Sequence, residues 1–281
     1  MSFPMYPIPI SLESSKSKLN QDYLHPTTST YIIQTNNQAL PLDATIDQVE
    51  SNNFINSERL FKNTNVRHAF IRKVFGLVAT QIILTLAIMC LIKFVPTVTL
   101  FLLRNSWIIW IIMGCTFILM VVLGCIEWLA RSYPLNLILL FAFTIMESVL
   151  VGFISLSYNT NTLFISACIT LAIVFALILF SLQTKYDFTD KGVYLLVLGL
   201  CLMSFGFICI IFLSHFMLLL YSVLGAAFFS MYLIFDVQLM LADKHKYSIS
   251  PEDYVMASLN LYVDIINLFL MILNLVRASE D

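Results

Sequence analysis

Residues 192–235 read GVYLLVLGLCLMSFGFICIIFLSHFMLLLYSVLGAAFFSMYLIF, a run without a single Asp, Glu, Lys or Arg. A helix needs about 20 mostly apolar residues to cross the hydrocarbon core of a bilayer, so this run is too long for one crossing. The polar pair Ser214-His215 near its middle is where we expect the chain to turn. The run therefore predicts two membrane-spanning helices joined by a short turn.

The rest of the chain extends this pattern, since 59% of its residues are hydrophobic and only 11% are charged. Soluble domains average about 45–50% apolar and roughly 25% charged residues. The sequence therefore predicts an all-α, polytopic membrane protein, a bundle of seven transmembrane helices. The expected spans are Val74–Phe94, Trp107–Trp128, Pro134–Leu156, Leu163–Leu182, Val193–Phe212, Phe216–Leu241 and Tyr254–Val276.

Composition also limits the classes of partner and cofactor that the sequence predicts. A net charge of -2 and an isoelectric point near 6.1 provide no basic field, so we expect no nucleic-acid binding. The six cysteines all fall in apolar segments and form no C-x-x-C pair, which favours packing over disulfides or a soft-metal site. We therefore expect no resident cofactor, and the lipid bilayer is the first expected partner.

The chain divides into two regions. Residues 1–66 are rich in Ser, Thr and Asn, contain five of the eight prolines and show no sustained apolar period, which predicts a flexible tail. Residues 67–281 are the predicted seven-helix domain.

The positive-inside rule gives the orientation, because cytosolic loops carry more Lys and Arg. It places the tail in the cytosol and the C-terminus on the other side, unless the seventh segment is re-entrant. One side of the predicted bundle carries Arg59, Lys62, Arg67, Arg72, Lys73, Arg131, Lys185, Lys191, Lys244 and Lys246. The other side carries only Lys93, Arg104 and Arg277.

Three acids lie well inside the predicted spans: Glu147, Asp236 and Asp264. A charged side chain at the bilayer centre costs roughly 2.5–3.5 kcal/mol on insertion scales, so such residues are functional candidates. The alternative is a purely structural polar contact between helices.

Residues 254–274 read YVMASLNLYVDIINLFLMILN, and polar residues recur in them at helical spacing. Asn260, Asp264, Asn267 and Asn274 share one face of a helix. Such a stripe is incompatible with lipid, so we expect this helix at the centre of the bundle, with the stripe toward other helices or a water-filled path.

Asp236 and Asp264 lie at similar depths in neighbouring spans, within roughly 6 Å by the rise of a helix. If they meet, the two carboxyls are expected to share one proton and to form a titratable latch. With both ionised, they offer hard oxygen ligands suited to transient calcium binding. Glu147 is expected in the far half of the third span, as a lumenal cation contact.

Two stretches, FDVQLML at 235–241 and SPEDYVMASLNLYVDIINLFL at 250–270, resemble the signature of the transmembrane Bax inhibitor motif family. Two others, RSYPLN at 131–136 and FSLQTKYDFT at 180–189, resemble its lifeguard branch. The resemblance covers about residues 67–278.

This resemblance implies a seven-helix fold with a central last helix and a pH-sensitive calcium leak that suppresses apoptosis. It implies residence in the endoplasmic reticulum or Golgi, with the plasma membrane or endosomes as alternatives, and death-pathway membrane proteins as partners. The family's paired aspartates correspond to Asp236 and Asp264, and its latch arginine to Arg131.

Two rival functions remain. A non-conducting adaptor would inhibit death signalling through its cytosolic tail. An intramembrane aspartyl protease also places one aspartate on each of two adjacent helices. Asp264 follows Leu261-Tyr262-Val263, however, where such a protease has a Gly-x-Gly element. We therefore expect a protein that is not an enzyme.

Overall fold

The structure is a computed structural model that describes residues 64–184, 186, 188–212, 214–241 and 253–280. Residues 1–63, nearly all of the predicted flexible tail, lie outside these ranges. So do five of the basic residues behind the predicted orientation: Arg59, Lys62, Lys185, Lys244 and Lys246.

The described residues form nine α-helices and one short 3-10 turn, Thr189–Lys191. The helices are α1 Thr64–Phe94, α2 Pro96–Arg104, α3 Trp107–Cys125, α4 Glu127–Arg131, α5 Leu135–Ser155, α6 Thr160–Gln183, α7 Gly192–Phe212, α8 His215–Leu241 and α9 Tyr254–Glu280. Seven of them (α1, α3 and α5–α9) are long and apolar enough to cross a membrane. The predicted all-α, seven-span architecture is confirmed.

The ends of two predicted spans differ from the structure. The second span stops at Cys125, because Ile126 leaves helical geometry (φ -105°, ψ 84°) before the separate short helix α4 begins. The first helix starts at Thr64, ten residues before the predicted Val74. Phe70 and Val74 are both buried in the core, so packing extends this helix beyond its apolar stretch.

Helix α9 lies at the centre of the bundle. In its most apolar stretch 61% of the residues are buried, against at most 33% in any other described span. It packs against α1, α4, α5, α6 and α8. The predicted central position of the seventh transmembrane helix is therefore confirmed.

Among the described residues, α8 and α9 share the most extensive contact of any helix pair, and a glycine lies in that contact. A Cβ atom at Gly225 of α8 would come within 2.7 Å of Sδ of Met271 on α9. Small residues let transmembrane helices approach closely. The same pair of helices carries Asp236 and Asp264, so this packing holds the two acids side by side.

Candidate functional site

Asp236 of α8 and Asp264 of α9 meet inside the bundle. Their side chains are 8% and 6% exposed, and the two carboxyl groups are hydrogen-bonding neighbours. An ionised carboxylate only accepts hydrogen bonds, so a bond between the two requires a proton on one of them. Oδ2 of Asp264 is buried and has no hydrogen-bond partner among the described residues. The structure thus brings together the two acids singled out in the sequence.

Gln238, two residues after Asp236, fixes the C-terminal end of α8. Its Nε2 donates to the carbonyl of Tyr186 at 2.9 Å, and its Oε1 accepts from the backbone N–H of Phe188 at 2.8 Å. These two bonds attach the connection between α6 and α7 to α8. Asp236 therefore lies near an end of α8 that these two hydrogen bonds hold in place.

Arg131 is not placed at the aspartate pair. At the end of α4, its Nε lies 2.8 Å from Oδ1 of Asp253 and its Nη2 lies 3.3 Å from Oδ2. Asp253 directly precedes α9, eleven residues or about 16 Å along the helix from Asp264. The Arg131 guanidinium here holds the start of the last helix. A role for Arg131 in the aspartate latch therefore stays a prediction.

Two further contacts hold the first residue of α9, Tyr254. The Nζ atom of Lys73 on α1 lies 3.2 Å from the centre of the Tyr254 ring, a cation–π contact. Nδ2 of Asn136 on α5 lies 3.2 Å from the Tyr254 hydroxyl. Together with the Arg131 ion pair, these contacts tie one end of the central helix to α1, α4 and α5.

A second polar cluster, built from neutral side chains, lies in the core. The Thr85 hydroxyl of α1 is 2.8 Å from the Tyr262 hydroxyl of α9 and 2.9 Å from Oγ of Ser148 on α5. Gln81 donates to Thr144 at 2.9 Å, again linking α1 to α5. Sequence reasoning missed this cluster because it carries no charge. The available signal was two i, i+4 pairs, Gln81 with Thr85 and Thr144 with Ser148.

Of the remaining predicted site residues, Glu147 lies on α5, and Asn260 and Asn267 lie about one turn on either side of Asp264 on α9. Glu147 of α5 is half-buried, and among the described residues it interacts electrostatically with Tyr262. Asn260 and Asn267 are half-buried, and Nδ2 of Asn267 donates to the carbonyl of Val263 in its own helix. Asp264 is more deeply buried than the two asparagines, and their part in a polar stripe stays a prediction.

The opposite end of the bundle is also closed by polar contacts. Nζ of Lys93, at the end of α1, donates to the carbonyls of Ser155 and Tyr158 at 3.1 and 2.6 Å. The Tyr158 hydroxyl in turn donates to Oδ1 of Asn274 on α9. The central helix is thus held at both ends, with the acid pair between the two closures.

Fold and site together define a polytopic membrane protein whose central helix shares a buried, ionisable pair of acids with the neighbouring helix. Residues 67–281 match the sequence profile of the family described as "Inhibitor of apoptosis-promoting Bax1". The chain belongs to this Bax inhibitor family.

Individual relatives agree with the family assignment. The chain is 36% identical to human protein lifeguard 3 over 214 residues, which cover 75% of this chain and 68% of the relative. It is 32% identical to mouse protein lifeguard 3 over 219 residues, covering 76% and 71% of the two chains. It is 33% identical to mouse protein lifeguard 4 over 221 residues, covering 77% and 87%.

Proposed function

We propose that the protein is a proton-sensitive calcium leak pathway of an intracellular membrane, the endoplasmic reticulum or Golgi, and that it restrains apoptosis. Family membership supports the link to cell death, since the family is described by its inhibition of Bax-promoted apoptosis. The observation that supports the leak mechanism is the buried contact between Asp236 and Asp264 on two adjacent helices, α8 and α9.

The chemistry of the pair suits a gate. Two carboxyls in contact in a low dielectric repel each other strongly when both are ionised, and a shared proton removes this repulsion. Calcium prefers six to eight oxygen ligands, and two carboxylates supply up to four of them with two negative charges. Protons and calcium therefore compete for the same oxygens, and the latch is closed when the proton holds it.

Passage across the membrane also requires the ends of the bundle to open. At one end, the Arg131–Asp253 ion pair and the contacts of Tyr254 hold α9 in place. At the other, Tyr158 and Asn274 close the gap between the connection after α5 and the last helix. In this proposal α9 moves when the latch opens, and Arg131 senses that movement through Asp253. Glu147 attracts cations on the lumenal side.

The orientation follows the distribution of positive charge. Among the described residues, Arg67, Arg72, Lys73, Arg131 and Lys191 flank the Asp253 end of the spans. Lys and Arg collect on the cytosolic side of membrane proteins. We therefore assign the N-terminal tail and the Arg131–Asp253 pair to the cytosol, and the Tyr158–Asn274 closure to the lumen.

Calcium flux into liposomes that contain the purified full-length protein tests the mechanism. As the pH falls, the calcium concentration needed for half-maximal flux should rise in the wild type, because protons displace calcium from the pair. Asp236→Asn and Asp264→Asn should each abolish this pH dependence. Asp190→Asn, a neutralised acid that is exposed outside the core, is the matched control and should behave as wild type.

Flux with unchanged pH dependence in both Asn variants at positions 236 and 264 would exclude the latch. A second experiment, in cells, distinguishes the calcium-leak proposal from the adaptor alternative. Variants that conduct no calcium but still protect stressed cells would show that survival depends on the tail and not on ion flux.

A further inference from the structure

A cavity of about 190 Å³ lies at the Tyr158–Asn274 end of the bundle, between the start of α8 and the last turns of α9. Its lining combines His215, Asn274, Arg277 and Tyr158 with the apolar side chains of Leu218 and its neighbours. This volume accommodates more than a single ordered water. The cavity is separate from the acid pair, and a ligand bound there is independent of the calcium proposal.

The polar lining of the cavity consists of hydrogen-bond donors. Arg277 stacks on the Tyr158 ring, with Cζ 5.2 Å from the ring centre, and makes no ion pair with any described residue. Asn274 already accepts the Tyr158 hydroxyl through Oδ1, which leaves its amide N–H groups to donate. An arginine provides five N–H donors in a planar fork that matches phosphate oxygens.

Arg277 decides the sign of the charge in the cavity, because the two helix ends that meet there, the start of α8 and the last turns of α9, carry opposite ends of their dipoles. His215 is the first residue of α8, so N–H groups of the helix N-terminus lie at the cavity. The positive end of a helix dipole favours an anion there. None of the described lining residues is acidic. The nearest acid along the chain, Glu280, accepts a hydrogen bond from Thr162 at 2.7 Å. The cavity therefore favours a negatively charged ligand.

The surroundings of the cavity identify the source of that ligand. Leu218, which lines it, is 49% exposed, and Phe216, two residues earlier on α8, is 66% exposed. Large exposed apolar side chains on a membrane-spanning helix contact lipid chains. The ligand must be anionic at the cavity and apolar along α8. A phospholipid with its head group in the cavity has both properties.

We propose that the cavity between α8 and α9 binds the phosphate group of an anionic phospholipid, with the acyl chains along α8. The Arg277 guanidinium and the Asn274 amide bind the phosphate oxygens. A zwitterionic lipid is disfavoured because the lining offers no acidic partner for its ammonium group. The bound lipid joins the end of the central helix to α8.

Spin-labelled lipids test the proposal on the full-length protein in vesicles of equal phosphatidylcholine and phosphatidylglycerol. The wild type should retain labelled phosphatidylglycerol about fivefold more strongly than labelled phosphatidylcholine, the effect of one basic residue at the membrane surface. Arg277→Gln should remove most of this preference, and Arg277→Lys should keep part of it. Arg104→Gln neutralises another exposed basic residue between the first two spans and is the matched control, expected to leave the preference unchanged.

Equal retention of both lipids by the wild type, or the same preference in Arg277→Gln, would overturn the proposal. Displacement of the labelled lipid by inorganic phosphate would also overturn the proposal, since the site would then bind free anions. The phosphate concentrations used are ones at which Arg104→Gln and the wild type otherwise behave identically. Unchanged thermal unfolding of each variant in phosphatidylcholine alone shows that lost binding is not misfolding.

Discussion

The last helix and the fifth transmembrane helix occupy opposite environments. In α9, 61% of the most apolar stretch is buried and its mean hydropathy is 1.9, while α7 is 11% buried with a mean hydropathy of 2.8. The less hydrophobic helix is therefore the one inside. This is the reverse of a soluble protein, because the solvent around α7 is lipid, which is as apolar as a leucine side chain.

The comparison explains where the functional groups lie. A helix that faces lipid on most sides has no partner for a polar side chain and must be apolar all round. A helix surrounded by other helices has partners, and α9 uses them: Asp264 contacts Asp236, and Tyr262 contacts Thr85. Burial among protein therefore permits the chemistry that the outer helices exclude.

The largest effect should come from truncating a packed side chain in α9. Leu268 is 1% exposed, and we expect Leu268→Ala to reduce the free energy of unfolding by about 2–5 kcal/mol through lost packing and a residual cavity. Leu196 of α7 is 57% exposed, and Leu196→Ala should cost less than about 0.5 kcal/mol, because lipid or detergent fills the space. Denaturant unfolding of both variants in the same micelles measures the difference. Equal losses would mean that α9 is not the core of the bundle.

A smaller effect should come from one hydroxyl group of the neutral cluster. Tyr262→Phe removes one of the hydrogen-bond partners of the Thr85 hydroxyl. Hydrogen bonds between transmembrane helices contribute about 0.6 kcal/mol on average, with a maximum of roughly 1.7. We expect a loss within that range. Tyr194→Phe, at an exposed tyrosine of α7, is the control and should change nothing measurable. A double-mutant cycle with Thr85→Val that shows no coupling would contradict the proposed contact.

Much of the fold was predictable, because hydropathy reports on lipid directly. The uncharged run at 192–235 divides into α7 and α8 on either side of Ser214, as expected from its length. The polar stripe of the last segment predicted a central helix, since Asn260, Asp264 and Asn267 have no place in lipid. The short helix α2 was not predicted, because nine residues are too few to show a clear period.

The site was predictable only where charge marked it. Asp236 and Asp264 were found because an acid inside a span is costly, and the similar depths of the two residues indicated that they could meet. The Arg131–Asp253 ion pair was not predicted, since its two residues are 122 positions apart and each lies at a helix end, where charges are common. The cluster around Tyr262 and the cavity at Arg277 depend on how helices pack, which no local pattern contains.

Infrared titration of the full-length protein tests the central claim most directly, because a protonated carboxyl has its own carbonyl stretching band. We predict a carboxylic-acid band in the wild type that reports one proton shared by two buried acids and that shifts in both Asp236→Asn and Asp264→Asn. Loss of either partner changes the hydrogen bond of the other. A band that is identical in the wild type and both variants, or absent while the latch is closed, would contradict the shared proton.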